Sequence, residues 1–246
     1  METKSTYWKA YRNFRSRITY EDEFDDTLRT MHGEVDLSSA NTCLALGCGD
    51  GRDEVKFIKE LAGNVTKFIG VERDHESTER LKDNLTRNLP DVDTQAIETD
   101  LRSWQGPDER VDLVLLFNIL YYLNFNEQQD LFLKLQQHWL SKGGFVAIVH
   151  CSKRIAPHEL WKILRSPLLM WEDIEADLHG AGFGKVHEYE MLTEYDHSDP
   201  DEYLLSFYRF LIGRDITLHE LRDAIMAASP GKSEQPYCVA ILKGYL

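Results

Sequence analysis

From Thr42 onward, short apolar runs alternate with longer stretches in which apolar residues recur every three or four positions. The short runs predict strands at Thr42–Leu46 (TCLAL), Lys67–Glu72 (KFIGVE), Val92–Glu98 (VDTQAIE), Val111–Asn118 (VDLVLLFN) and Gly143–His150 (GGFVAIVH), the last begun by a turn glycine pair. The stretches between them predict helices over Glu54–Ala62, Ser77–Leu89 and Phe125–Leu140, with Ser77 as the N-cap of the second. Val111–Asn118 is apolar on both faces, as in the middle of a parallel sheet covered on both sides. Regular strand–helix alternation through His150 calls for a doubly wound, mostly parallel α/β sheet.

The flanks are less regular. The first forty residues are helical and amphipathic, with Tyr7, Tyr11 and Phe14 on one face and a second helix over Glu21–Met31. Beyond His150, helices are expected at Pro157–Leu164 and Trp171–Gly180, then a sixth strand at Gly184–Leu192. Two helices near Pro200–Ile212 and Thr217–Ala227 precede a last strand at Tyr237–Gly244, expected to form a hairpin-like pair with the sixth.

Composition narrows the function classes. A formal net charge of −14 disfavours holding nucleic acid or an anionic membrane by bulk charge. Four cysteines without CxxC spacing fit a reduced, cytoplasmic setting. No apolar run has the length of a membrane span or the form of a signal peptide. The nine histidines show no metal-ligand spacing, so no metal is expected. His150, alone at a strand end, is read as packed.

The chemistry concentrates in LALGCGDGRDE, Leu44 to Glu54. Gly47 permits a tight turn off the strand, and Gly49 and Gly51 let a ligand approach bare backbone. The spacing G-x-G-x-G departs from the dinucleotide fingerprint, and no Lys–Ser/Thr follows for a phosphate loop. Asp50, Asp53 and Glu54 crowd a helix start that would otherwise welcome anions. They repel a pyrophosphate and tolerate a ligand bearing positive charge. Glu72, ending the second strand, can accept hydrogen bonds from a ribose diol, and Asp100, after the third, can meet an adenine amino group.

This set resembles the class I S-adenosylmethionine-dependent methyltransferases, whose cofactor carries an adenosine, a sulfonium and an amino-acid tail but no phosphate. One departure is Ala45, where many members have an acid. A narrower resemblance, to the histamine N-methyltransferase family, rests on LFNILYYLNF (Leu116–Phe125), YRNFRSRITYEDEF, ELWKILRSP (Glu159–Pro167) and EMLTEYDHSD. It implies a seven-stranded Rossmann-like methyltransferase fold forming one domain over 1–246: a helical lid at 1–40, a cofactor-binding core at 41–150, and substrate-side helices with the last two strands at 151–246. Carried over by position, S-adenosyl-L-methionine would meet Gly47, Gly49, Gly51, Glu72, Ser77, Asp100 and Phe117. A small amine would meet Tyr7, Tyr11, Phe14, Asn118, Tyr121, Tyr122 and Trp161. The family's pocket carboxylate falls at Tyr20 with Glu21 beside it, and its C-terminal pocket asparagine falls near Glu234, so Glu21 and Glu234 join the substrate set and the polar anchors are rearranged.

The resemblance implies N-methylation of a small amine by a monomer without nucleic-acid or membrane partners, histamine being the leading acceptor. No catalytic base is assigned, because a neutral imidazole needs none near pH 7. Other acceptors stay open: an amino acid, whose carboxylate Arg15 and Arg17 could hold, another biogenic amine or a hydroxyl. A polyamine synthase and a non-catalytic cofactor-binding protein are the remaining alternatives.

Overall fold

The computed structural model describes residues 4–153, 160, 162–164, 169–196, 200–212, 215–228 and 232–244, and their side chains except those of 4–9, 195, 210, 211, 232, 233 and 235. In chain order the elements are α1 (Lys4–Arg15), α2 (Tyr20–Met31), β1 (Thr42–Leu46), α3 (Arg52–Leu61), β2 (Lys67–Glu72), α4 (His75–Asn88), β3 (Asp93–Glu98) and β4 (Val111–Phe117). A 3₁₀ turn at Leu120–Tyr122 leads into α5 (Phe125–Lys134) and a π turn at Leu135–Trp139. Then follow β5 (Leu140–Cys151), α6 (Trp171–Gly180), β6 (Phe183–Asp196), α7 (Glu202–Ile212), α8 (Leu218–Ala228) and β7 (Lys232–Gly244). No described helix is long and apolar enough to cross a membrane.

The described residues divide between two compact units, one drawn from Met1–Phe24, Cys151–Asp173 and Glu190–Tyr237, the other from Asp25–His150, Ile174–Tyr189 and Cys238–Leu246.

Seven strands form a sheet in the order β3-β2-β1-β4-β5-β7-β6, of which β1 to β4 lie wholly in the second unit. β1 pairs in parallel with β2 and β4, β2 with β3, and β4 with β5. The expected doubly wound sheet is therefore present. β4 is buried at every position but Asp112, as its unbroken apolar run requires. α3 covers the sheet with Val55, Phe57, Ile58 and Leu61, a helical stripe whose members each contribute about 1.5–3 kcal/mol when fully buried. Asp112 fixes the strand starts, its Oδ2 accepting from the amides of Asn41 and Thr42 at 3.1 Å each and from the Thr42 hydroxyl at 3.0 Å.

Several boundaries differ from the sequence expectation. α5 stops at Lys134, and the π turn feeds directly into β5, which starts at Leu140 rather than Gly143. The Gly143–Gly144 pair thus lies inside the strand. A Cβ on Gly144 would stand 2.9 Å from the Asp112 carbonyl oxygen, and the β4–β5 register shifts between Val111 and Leu113. Gly144 serves a close backbone approach at an irregular pairing, and Gly143 supplies left-handed backbone (φ 74°) within the strand. α4 begins at His75. Its cap is Asp74, whose carboxylate accepts from the Ser77 amide and hydroxyl, both at 2.9 Å. Ser77 is therefore inside the helix and buried, and its expected role as N-cap is corrected. An Asp three residues before Ser77 satisfies the same orphan amide earlier in the chain. β6 and β7 both extend beyond their expected ends.

In the first unit the aromatic face of α1 packs on α7. Phe14 stacks on Phe207 with centroids 4.2 Å apart, and Tyr11 lies tilted at 6.4 Å from the same ring. Arg17 pairs with Asp201 at 2.9 Å. The Arg15 guanidinium lies 4.1 Å above the buried Tyr20 ring and donates to the Tyr11 hydroxyl at 3.1 Å.

Candidate functional site

Parallel register brings four strand exits into one row. Leu46 pairs with Val71, Glu72 with Glu98, and Phe117 with Val149, so β3, β2, β1 and β4 end side by side. Backbone bonds carry the alignment past the strands: Gly47 N to Val71 O at 2.7 Å, Thr99 N to Glu72 O at 2.9 Å, and Asn118 N to Val149 O at 2.9 Å. Asp100, Glu72, the glycine loop and Asn118 thus stand along one edge of the sheet. With about 4.8 Å per strand, the row spans roughly 14 Å.

The glycines take left-handed backbone, with φ of 63° at Gly47, 56° at Gly49 and 72° at Gly51. Their reasons differ. A Cβ on Gly51 would lie 2.4 Å from Leu81 Cδ1, so Gly51 allows α3 to start against α4 rather than admitting a ligand. A Cβ on Gly47 would lie 2.2 Å from Ile119 Cδ1, which makes the loop a direct neighbour of the β4 exit. Gly51 caps α3 without a side-chain bond. Of the three acids at this helix start, Asp50 accepts from the Arg52 amide at 3.3 Å, and Glu54 is buried. Cys48 is buried within the loop, and burial, then Glu54, pushes its thiol well above the ordinary value, so it stands as a neutral packing group and not a nucleophile.

Glu72 is the centre of the row. Its Oε2 accepts from the Gly49 amide at 3.0 Å, and its Oε1 accepts from the amides of Arg73 and Asp74 at 2.8 Å each. A carboxylate offers about four acceptor sites. The three amides hold the group in place and leave acceptor capacity on Oε2, at the edge of the loop.

Asp100 is half-buried and accepts from the Arg102 amide at 2.9 Å. That amide, with the Arg102 guanidinium behind it and against the opposing effect of burial, holds the Asp100 carboxyl below its ordinary value. Asp100 is an anion, suited to accept from an amino group. Phe117, expected to touch a cofactor, is buried with its ring edge-on to Phe57 at 5.4 Å.

At the β4 exit, Asn118 has φ 53°, the one left-handed non-glycine among the described residues. The Tyr121 hydroxyl donates to Asn118 Oδ1 at 3.3 Å, Tyr121 stacks on the buried His150 ring at 4.1 Å, and Tyr122 stands edge-on to Tyr121 at 6.4 Å. Asn118, Tyr121 and Tyr122, expected together, are together.

Tyr11 and Phe14 belong to the first unit, where they pack α1 on α7. Glu21 is 3.7 Å from Arg15. Glu234 is exposed on β7. Tyr7 lies on α1 with its side chain outside the described set, and Trp161 is outside the described residues. No group of three or more His, Cys, Asp or Glu among the described residues is arranged to hold a metal ion.

Residues 43–144, which contain the whole row, match the family model described as a methyltransferase domain. This segment, less than half of the chain, is thus similar to methyltransferase domains. The chain is also similar to solved structures, each at low identity. A putative methyltransferase from Bacillus halodurans is 12% identical, with 89% of this chain and 97% of that one covered and a TM-score of 0.63. The N-methyltransferase NodS from Bradyrhizobium japonicum, in complex with S-adenosylhomocysteine, is 15% identical over 92% and 88%, at 0.53. A Thiobacillus denitrificans methyltransferase, also with S-adenosylhomocysteine, is 15% identical over 88% and 90%, at 0.56. No curated protein matches. The fold is that of class I S-adenosylmethionine-dependent methyltransferases, and none of these likenesses singles out the histamine N-methyltransferase family.

Two participants escaped the sequence reading. Asp74 was signalled by its place three residues before Ser77. Arg102, which joins the β3 and β4 exits, carries no motif at all.

Proposed function

We propose that the protein is an enzyme that transfers a methyl group from S-adenosylmethionine to a small nitrogen nucleophile. The observation that supports this best is the aligned row of Asp100, Glu72, the glycine loop and Asn118 inside the methyltransferase-matched segment. The residues fit the cofactor by chemistry. An anionic Asp100 would accept from the adenine amino group, Glu72 Oε2 would accept from a ribose hydroxyl, and the loop has no lysine of the kind that holds phosphates. Ser77, buried under Asp74, would act by keeping Asp74 and the adjacent Glu72 amide contacts in place.

Bound S-adenosylmethionine supplies an electrophilic methyl group on a positively charged sulfur, with a neutral leaving group that needs no acid. The chain's own work is orientation and exclusion of water. Asn118, stabilised in its unusual conformation by the Val149 bond and engaged by Tyr121, would present an amide to the acceptor. The faces of Tyr121 and Tyr122 suit a cationic or imidazole ring. These groups support a nitrogen acceptor; histamine is the first compound to try. An amine anchored by Glu21 would have to displace Arg15 from that carboxylate.

Incubation with methyl-labelled S-adenosylmethionine and a panel of small amines, imidazoles, amino acids and phenols tests the reading. Label is expected on an amine or imidazole nitrogen. Label only on oxygen would overturn the acceptor class, and no transfer to any member would overturn the activity.

A further inference from the structure

Arg102 joins three groups that otherwise belong to separate parts of the site. Its Nη1 lies 3.4 Å from Asp100 Oδ1, its Nη2 donates to the Tyr122 carbonyl at 2.5 Å, and its Nε donates to Glu127 Oε1 at 2.8 Å. Glu127 is itself fixed: its Oε2 accepts from the Asn124 amide at 2.8 Å, closing the capping box that starts α5. The guanidinium therefore bridges the loop after β3 to the last residue of the turn that carries Tyr121 and Tyr122 and to the capped start of α5. A planar fork with donors in fixed directions transmits a shift at one contact to the others, which a lysine ammonium on a flexible stem does not. The contact to Asp100 is the longest of the three. Asp100 is also the group that, in the function proposed above, accepts the adenine amino group.

We propose that Arg102 is a positioning residue that couples occupancy of Asp100 by the adenosyl group to the conformation of the Ile119–Asn124 turn, so that cofactor binding sets the acceptor-facing tyrosines. This rests on the cofactor reading of the site. A donor arriving at Asp100 takes over part of its carboxylate and releases the guanidinium from its longest contact, leaving it seated on Tyr122 O and Glu127, which hold the turn. The acceptor side is then ordered after the cofactor side, and the binding sequence is cofactor first.

The test is amide hydrogen exchange with and without S-adenosylhomocysteine, on the full chain and its Arg102→Met and Arg102→Lys variants. Arg102 is exposed, so both variants are expected to fold, with unchanged circular dichroism as the check. In the unaltered protein the ligand is expected to slow exchange at residues 47–51 and, by about 5-fold or more, at 119–124. In both variants protection at 47–51 persists and the ligand-dependent difference at 119–124 is lost. A turn merely loosened by the substitution would exchange faster in both states while keeping that difference, and this would overturn the proposal. Full coupling in Arg102→Lys would overturn the fork as its carrier. Protection at 47–51 without any at 119–124 in the unaltered protein would overturn the coupling alone, whereas no protection at either segment would overturn the cofactor reading and the coupling with it.

Discussion

Tyr121 donates its hydroxyl hydrogen to Asn118 Oδ1 at 3.3 Å while its ring lies on that of His150 at 4.1 Å. The buried imidazole fixes the ring, the ring aims the hydroxyl, and the hydroxyl engages an amide in left-handed backbone. Such a chain holds a polar group in one direction without a bound partner. Tyr121→Phe removes one neutral hydrogen bond, a loss of about 0.5–1.5 kcal/mol, and keeps the ring stack. The expected result is a fall in turnover of up to roughly tenfold with unchanged S-adenosylhomocysteine affinity. Equal weakening of cofactor binding in steady-state kinetics and calorimetry would place Tyr121 on the cofactor instead.

Gly51 and Gly63 give opposite predictions from the same substitution. At Gly51 an alanine Cβ would stand 2.4 Å from Leu81 Cδ1, at φ 72°. Overpacking costs about 1–3 kcal/mol and left-handed backbone about 1–2 kcal/mol more. At Gly63 a Cβ would meet nothing within 4 Å, and φ lies outside the left-handed range. Loss of unfolded-chain freedom then favours the variant by up to about 1 kcal/mol. Urea unfolding should show Gly51→Ala clearly destabilised and Gly63→Ala neutral or stabilised.

His75 Nδ1, at the start of α4, lies 2.7 Å from Oε2 of Glu98, the last residue of β3. The hydrogen bond with Glu98, then its charge, raises the imidazole above its ordinary value. A raised folded value means that the pair favours the fold below the ordinary imidazole pKa of about 6.5 and loses that contribution as pH rises through the raised value. A proton NMR titration should find His75 above the ordinary range, and Glu98→Gln should bring it down. A His75 midpoint unmoved by Glu98→Gln would contradict the pairing.

The sheet was legible because its inner strands announce themselves. Val111–Phe117 can only be buried on both faces, and Thr42–Leu46 ends at the glycines where it should. Boundaries failed where one signal had two physical causes. Gly143–Gly144 reads as a turn, yet the pair lies within β5, where Gly144 lets the backbone approach Asp112. Ser77 has capping chemistry, yet Asp74 occupies the cap. Tyr11 and Phe14 were legible as one helix face, and the Phe207 ring is what that face meets within the first unit. Asp100 and Glu72 were legible because parallel strands place successive exits side by side. Arg102 was not, because its role exists only once the β3 and β4 exits are adjacent in space.

Calorimetric titration of S-adenosylhomocysteine into the protein and its Glu72→Ala variant tests the central claim most directly. Glu72 accepts from the Gly49 amide and stands between Asp100 and the glycine loop in the row, so its removal takes away a charged acceptor and the loop's anchor together. The account predicts saturable binding to the unaltered protein and an affinity lower by about 1.5–3 kcal/mol, roughly 10- to 150-fold, in the variant. No binding to the unaltered protein, or equal affinity in the two, would contradict it.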